Sequence, residues 1–175
     1  MDEYLKTLNR LSGAKFVLLA FLGFRTGLRV SDLLKLKYGA FSEQKEALKI
    51  RETKTGKIRV IPIDGEMRAA VQRLKAFTFS NQRHFLFSGR DGAKPMCRTT
   101  AYRHLRRAGE ELGLKHIGTH SLRKTFAVGL YIDSGGNLEL VRDVLNHKHS
   151  DTTLHSYILS GVDLKQLLVD NSVNL

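Results

Sequence analysis

Six separated positions carry whatever chemistry this sequence offers: Arg29, Lys54, His120, Arg123, His147 and Tyr157. These residue types match the needs of breaking a phosphodiester without a metal. Cations must neutralise the phosphate as charge builds in the transition state. A nucleophile must stand in line with the leaving oxygen, and an acid must protonate that oxygen as it departs. Arginine suits the first task, because its planar fork pairs with two phosphate oxygens and stays charged.

Each position also has an ordinary reading. Arg29 follows Thr26-Gly27-Leu28 at a helix entrance, where backbone N–H groups favour an anion, but a surface ion pair with Asp32 or Asp2 would account for it alone. Asp32, one turn on, either orients Arg29 or makes a plain helix ion pair with it. His120 and Arg123 stand at i and i+3 on one helix face, as would a solvated or capping pair. Lys54 occupies a hairpin tip, a mobile reaching position, where turn lysines are common. His147 follows a helix end and suits a dipole partner. Tyr157, beside Leu154 and Ile158, suits a half-buried core tyrosine.

The elements that must position these residues are mainly helical. Ala14 to Thr26 is apolar nearly all round, like a core helix, and Gly27 ends it. Val30 to Leu36 reads as the next helix. Leu48 to Arg51 alternates, Thr53-Lys54-Thr55-Gly56 turns, and Ile58 to Ile61 returns, which predicts a hairpin. Asp64 caps a helix to about Phe77. Arg98 to Leu112 is a basic helix ended by Gly113. Thr119 or Ser121 opens a helix to about Asp133, and Asn137 caps another to Leu145. Asp151 or Thr152 starts a short helix through Ile158. Leu164, Leu167 and Leu168 stripe a terminal one. There is no βαβ alternation, which argues against a Rossmann-type sheet, and no Gly-rich phosphate loop follows a strand, so nucleotide hydrolysis has no support. The fold class expected is α+β, mainly α, with a small antiparallel hairpin sheet.

The chain has 175 residues, enough for one domain with one sizeable core. Its 29 Lys and Arg against 17 acidic residues give a net charge of +12, and a domain this basic calls for a polyanionic partner, DNA or RNA first. Arg98, Thr99, Thr100, Arg103, Arg106 and Arg107 lie on or near one helix, with Arg103 and Arg107 on one face. Arg98, Thr99, Arg103 and Arg107 are the candidate DNA contacts. One cysteine, Cys97, permits no internal disulfide and no Cys-rich zinc site. Met1-Asp2-Glu3-Tyr4 lacks the basic and apolar regions of a secretory leader. The apolar stretch from Phe16 to Phe24 is too short to span a bilayer. The expectation is a cytoplasmic, nucleoid-associated protein with no membrane contact.

Order and spacing join these residues into one pattern. The run Thr26-Gly27-Leu28-Arg29-Val30-Ser31-Asp32-Leu33-Leu34 resembles the first signature of the tyrosine recombinase (phage integrase) family. Thr53-Lys54-Thr55-Gly56-Lys57 followed by Ile61-Pro62 resembles its lysine-bearing hairpin, and His120-Ser121-Leu122-Arg123 its His-x-x-Arg segment. Leu145-Asn146-His147-Lys148 with Thr152-Thr153-Leu154-His155-Ser156-Tyr157 resembles its terminal segment. The match spans about residues 12 to 160.

The resemblance implies a catalytic domain over residues 1–175 that cuts and rejoins DNA in site-specific recombination or integration. By it, Arg29 and Arg123 clamp the scissile phosphate, and Tyr157 attacks to leave a 3′-phosphotyrosyl link. Lys54 protonates the 5′-oxygen, His120 acts in proton transfer, and His147 adds a hydrogen bond. It further implies no cofactor, a homotetramer on DNA and a monomer as the isolated domain. His147, His149 and His155 lack the acidic or thiolate companions of a metal cluster. His84, His104 and His116 read as surface or packing residues.

Three departures stand out. Asn146 replaces the usual glycine before the histidine, and asparagine tolerates the left-handed backbone better than most residues. Lys124 stands where histidine is common. Only about a dozen residues precede the matched stretch, so the separate core-binding domain is expected to be absent from this chain. A type IB topoisomerase-like enzyme and a non-catalytic DNA-binding remnant are the alternative functions.

Overall fold

Tyr4, Leu5, Leu8 and Leu11 recur at helical spacing, and their segment folds as α1 (Asp2–Ser12), ahead of the first helix expected from the sequence. Tyr4 and Leu8 are buried, and the Tyr4 hydroxyl donates to the Leu105 carbonyl at 2.9 Å. The computed structural model describes residues 1–78, 80–89, 92–114 and 117–146. After α1 come α2 (Ala14–Thr26), α3 (Val30–Leu33), a 3-10 turn (Tyr38–Phe41), β1 (Ala47–Arg51), β2 (Ile58–Pro62), α4 (Gly65–Ala76), α5 (Arg98–Glu111), α6 (Thr119–Asp133) and α7 (Leu138–Val144). The domain is thus mainly helical, and the described residues form one two-stranded antiparallel sheet. The helices expected from Asp151 onward lie outside the described residues, as do His147 and Tyr157.

Two helices begin on a capping side chain. Asp64 accepts from the Met67 amide at 2.7 Å at the start of α4, and Asn137 accepts from the Leu140 amide at 3.0 Å at the start of α7. Ser121 accepts from the Gly118 amide at 3.0 Å, closing the first turn of α6. One helix is shorter than its sequence predicts. α3 stops at Leu33 rather than Leu36, because the next backbone pairs elsewhere: the Leu36 carbonyl accepts from the Leu86 amide at 2.9 Å, and Lys37 bridges Phe85. Tertiary pairing overrides local helical preference here.

The hairpin runs in register from Ala47 opposite Pro62 to Arg51 opposite Ile58. Gly56, at φ +69, makes the reversal. Its alternation is inverted relative to hydropathy: Arg59 is buried while Ile58 and Val60 on either side are exposed.

Two glycines govern how α2 meets α6. A methyl group on Gly23 would lie 2.7 Å from Leu122 Cδ1, and one on Gly27 2.2 Å from Phe126 Cδ1. Gly27 also ends α2 in the left-handed region, at φ +58. With these side chains absent, the C-terminal end of α2 lies directly against α6, so that Arg123 on α6 donates to the Gly27 carbonyl at 2.6 Å. Leu8, Leu19, Leu22, Leu28, Leu33, Leu86, Leu105 and Leu122 belong to the main core on this packing. Ala127, Val141 and Leu145 join α6 to α7 in a smaller one.

Gly23→Ala should lower unfolding free energy by about 1–3 kcal/mol through overpacking. Gly27→Ala should lower it further, because the left-handed backbone adds about 1–2 kcal/mol. Urea unfolding checks both, and two variants with the parent's midpoint would refute the close-packing account.

Candidate active site

The C-terminal end of a helix exposes carbonyls that lack partners and carry partial negative charge. At the end of α2 two buried arginines meet that need. Arg59 from β2 donates to the Thr26 carbonyl at 2.9 Å, and Arg123 from α6 takes the Gly27 carbonyl. Arg123 also donates to the Leu145 carbonyl at 2.6 Å, the residue that ends α7. One guanidinium therefore ties together the ends of two helices. Its side chain is only 1% exposed.

Arg29 enters the same place from the turn after α2, as the residue preceding α3. Its partner is neither Asp32 nor Asp2. Arg29 Nη1 lies 2.8 Å from Oε2 of Glu52, and that carboxylate is fully buried. Glu52 Oε1 lies 3.8 Å from Arg59 Nη1 and 3.9 Å from Arg123 Nη1. Three guanidiniums thus surround one carboxylate. Burial alone pushes the Glu52 carboxyl up, but the Thr55 hydroxyl, Arg29 and Arg123 outweigh it and hold the group below its usual range. Burial and the neighbouring Arg123 bring Arg59 down to about 10, so it stays charged at neutral pH.

Asp32 has a different task from the one its spacing suggests. Its Oδ1 accepts from the Thr53 amide at 2.9 Å and from the Thr53 hydroxyl at 2.6 Å. The base of the hairpin loop is thereby fastened to α3. The Glu52 amide donates to the Lys57 carbonyl, and the Gly56 amide to the Glu52 carbonyl, both at 2.9 Å. The Thr55 hydroxyl donates to Glu52 Oε2 at 2.7 Å. The loop expected to be a mobile tip is therefore bonded on both sides of Lys54, to Asp32 of α3 through Thr53 and to Glu52 through Thr55, while Lys54 itself is exposed.

His120 lies in the first turn of α6, exposed and one turn before Arg123. Partial burial, then Arg123, Lys124, Arg98 and Arg29, hold its imidazole below the usual range. All four cations are therefore near it, which brings His120, Arg29 and Arg123 to one locality. Arg98, Thr99, Arg103 and Arg107 are exposed on α5, opposite a buried face of Ala101, Leu105 and Ala108. Of these, Arg98 acts on His120, whereas Arg103 and Arg107 act on His104. His104 stacks on Phe16 with ring centroids 3.9 Å apart and contacts the Ser12 hydroxyl at 2.8 Å, as a packing residue does. Asn146 adopts φ +53, so the left-handed turn leading to residue 147 forms without glycine.

The structure thus brings Arg29, His120 and Arg123 together and places Lys54 on a loop bonded to the same cluster. Sequence reasoning missed Glu52 and Arg59. Glu52 looks like one charge in a mixed run, Lys49 to Lys54. Arg59 could have been found only by doubting that Ile58 and Val60 face inward.

Comparison with known proteins gives the family. Residues 3–161 match the phage integrase family. The chain is 35% identical over 164 residues to the probable integrase/recombinase YoeC of Bacillus subtilis, covering 93% of this chain and 84% of that protein. It is 31% identical over 137 residues to the tyrosine recombinase XerA of Pyrococcus furiosus, and there it spans only 47% of the relative's length. Among solved structures, XerH bound to a palindromic difH substrate shares the fold at a TM-score of 0.72 and 20% identity, covering 97% of this chain and 51% of that one. Lambda integrase bound to DNA superposes at 0.66 with 27% identity, covering 93% and 60%. With the match running almost end to end and the arginines and histidine of its motifs gathered in one place, the chain belongs to the phage integrase family of tyrosine recombinases.

Proposed function

We propose that residues 1–175 form a catalytic domain that cleaves and rejoins double-stranded DNA in site-specific recombination or integration. The observation that carries this reading is the convergence of Arg29, Arg123 and His120, which start 91 or more positions apart in sequence between the first and the others, beside a hairpin that bears Lys54. Relatives named as recombinases support it, as do neighbours whose structures contain DNA.

In this reading the two arginines hold the non-bridging oxygens of the scissile phosphate. The Tyr157 phenol passes its proton to His120, and its oxygen bonds to phosphorus. The bond from phosphorus to the 5′-oxygen breaks, and Lys54 gives that oxygen a proton. The products are a 3′-phosphotyrosyl ester and a 5′-hydroxyl. Because the ester retains the energy of the broken bond, attack by a DNA hydroxyl reseals the strand without ATP. His120 works in proton transfer and His147 hydrogen-bonds the phosphate. Arg98, Thr99, Arg103 and Arg107 contact the duplex backbone, and the active assembly on DNA is a tetramer.

Trapping decides the matter directly. Incubated with nicked suicide duplexes from a randomised-sequence pool, the protein should form an SDS-resistant adduct that Tyr157→Phe does not form. An adduct from Tyr157→Phe, or none from any duplex, would contradict the reading. Lys54→Ala should slow cleavage by about 10²–10⁴-fold, and a 5′-phosphorothiolate, whose sulfur leaves without an acid, should restore the rate. Failure of rescue in a folded variant would remove Lys54 from the acid's place.

The depressed imidazole gives a third outcome with a definite sign. Partial burial and then the neighbouring cations lower the His120 pKa by disfavouring its charged form, so a bound phosphate, which offsets the cations, should raise it. NMR titration of the free protein should place His120 below ordinary histidine. Saturating inorganic phosphate should move it upward. A value that does not move would place the phosphate away from His120.

A further inference from the structure

We propose that Glu52 is a positioning residue, whose carboxylate sets the Lys54-bearing loop against the Arg29 guanidinium. The inference rests on the active-site reading above and adds to it a residue and a task.

A fully buried carboxylate in a chain of net charge +12 is placed for a reason. Its two oxygens do different work. Oε2 meets Arg29 Nη1 at 2.8 Å and accepts from the Thr55 hydroxyl at 2.7 Å. One atom therefore joins the arginine clamp to the residue immediately after Lys54. Oε1 is buried and accepts no hydrogen bond among the described residues. It stands between Arg59 and Arg123, nearly equidistant from both. The backbone of Glu52 also closes the loop through Lys57 and Gly56, while Asp32 holds Thr53. Lys54 is thus flanked on each side by a residue whose side chain is bonded to a buried carboxylate, Asp32 before it and Glu52 after it.

Proton transfer is the wrong task for this carboxyl, because its cations keep it ionised and its place is closed to solvent. Its geometry suits holding. A guanidinium has five N–H donors, so Arg29 can stay on Glu52 and still offer donors to a phosphate. The angle between clamp and loop is then fixed before DNA arrives, and the lysine meets the departing oxygen where the arginines hold its phosphorus.

A second explanation is that Glu52 only balances charge so that the domain folds. Single-turnover adduct formation separates the two when ordinary and 5′-phosphorothiolate suicide duplexes are compared. Glu52→Gln keeps the shape and removes the charge. It should slow cleavage of ordinary DNA about ten- to a hundredfold, and the phosphorothiolate should recover part of that loss, the part that belongs to Lys54. Glu52→Gln combined with Arg59→Gln restores the charge balance of the cluster, and should remain slow. Thr55→Val cuts only the arm to the loop and leaves Glu52 with its three cations. It should be slower than the parent on ordinary DNA and equal to it on the phosphorothiolate, which keeps the test open if Glu52→Gln does not fold. A Thr55→Val protein at the parent's rate on ordinary DNA overturns the proposal, and so does a double variant restored to the parent's rate. Loss of the underlying reading shows differently, as no adduct from the parent protein.

Discussion

Guanidinium groups drawn out of water in one place repel each other, and the site in this domain depends on how that repulsion is met. Arg59 and Arg123 lie against the carbonyl end of α2, and Arg123 also reaches the carbonyl that ends α7. Glu52 stands among these two and Arg29. The helix ends supply fixed partial negative charge, and the carboxylate supplies a full one. A cluster compensated in this way can exist in the folded protein and still keeps more guanidiniums than carboxylates, as the proposed phosphate clamp requires.

The same contacts explain why so many separate segments must fold together before the site exists. Arg123 can reach Gly27 only because Gly23 and Gly27 let α6 approach α2. The turn after α2 brings Arg29 to the hairpin base, and Asp32 on the following helix fastens Thr53. Buried charge of this kind contributes little net stability against an apolar alternative. Its value is geometric, since removing one member leaves the others uncompensated. Arg123 in particular ties the ends of α2 and α7 together, so its replacement should affect the fold as well as the proposed phosphate clamp.

The sequence made some of this legible and hid the rest. Helices with a clear apolar stripe and a capping side chain, such as the one begun by Asp64 and the one begun by Asn137, lie where periodicity and capping place them. Arg29, His120 and Arg123 were legible through motif order, and the structure brings them to one locality. α3 ends early because its following backbone pairs with residues some 50 positions later, which local pattern cannot register. The hairpin misleads more deeply, because the strand turns its arginine inward and its Ile58 and Val60 outward. Hydropathy alternation assumes that burial follows apolarity, and here a helix end and a carboxylate reverse it. Glu52 left no sequence signal for the same reason: its partners come from α6, β2 and the turn after α2. The terminal segment with His147 and Tyr157 lies outside the described residues, although the left-handed Asn146 leads into it.

The central claim is that one phosphate is gripped by Arg29 and Arg123 together. It is tested most directly by a crystal structure of the protein bound to a suicide duplex recovered by trapping. The account predicts a scissile phosphate whose non-bridging oxygens accept from both guanidiniums, with Arg29 still on Glu52. A phosphate seated on one arginine alone, or on the exposed face of α5 with the cluster around Glu52 unvisited, would contradict it.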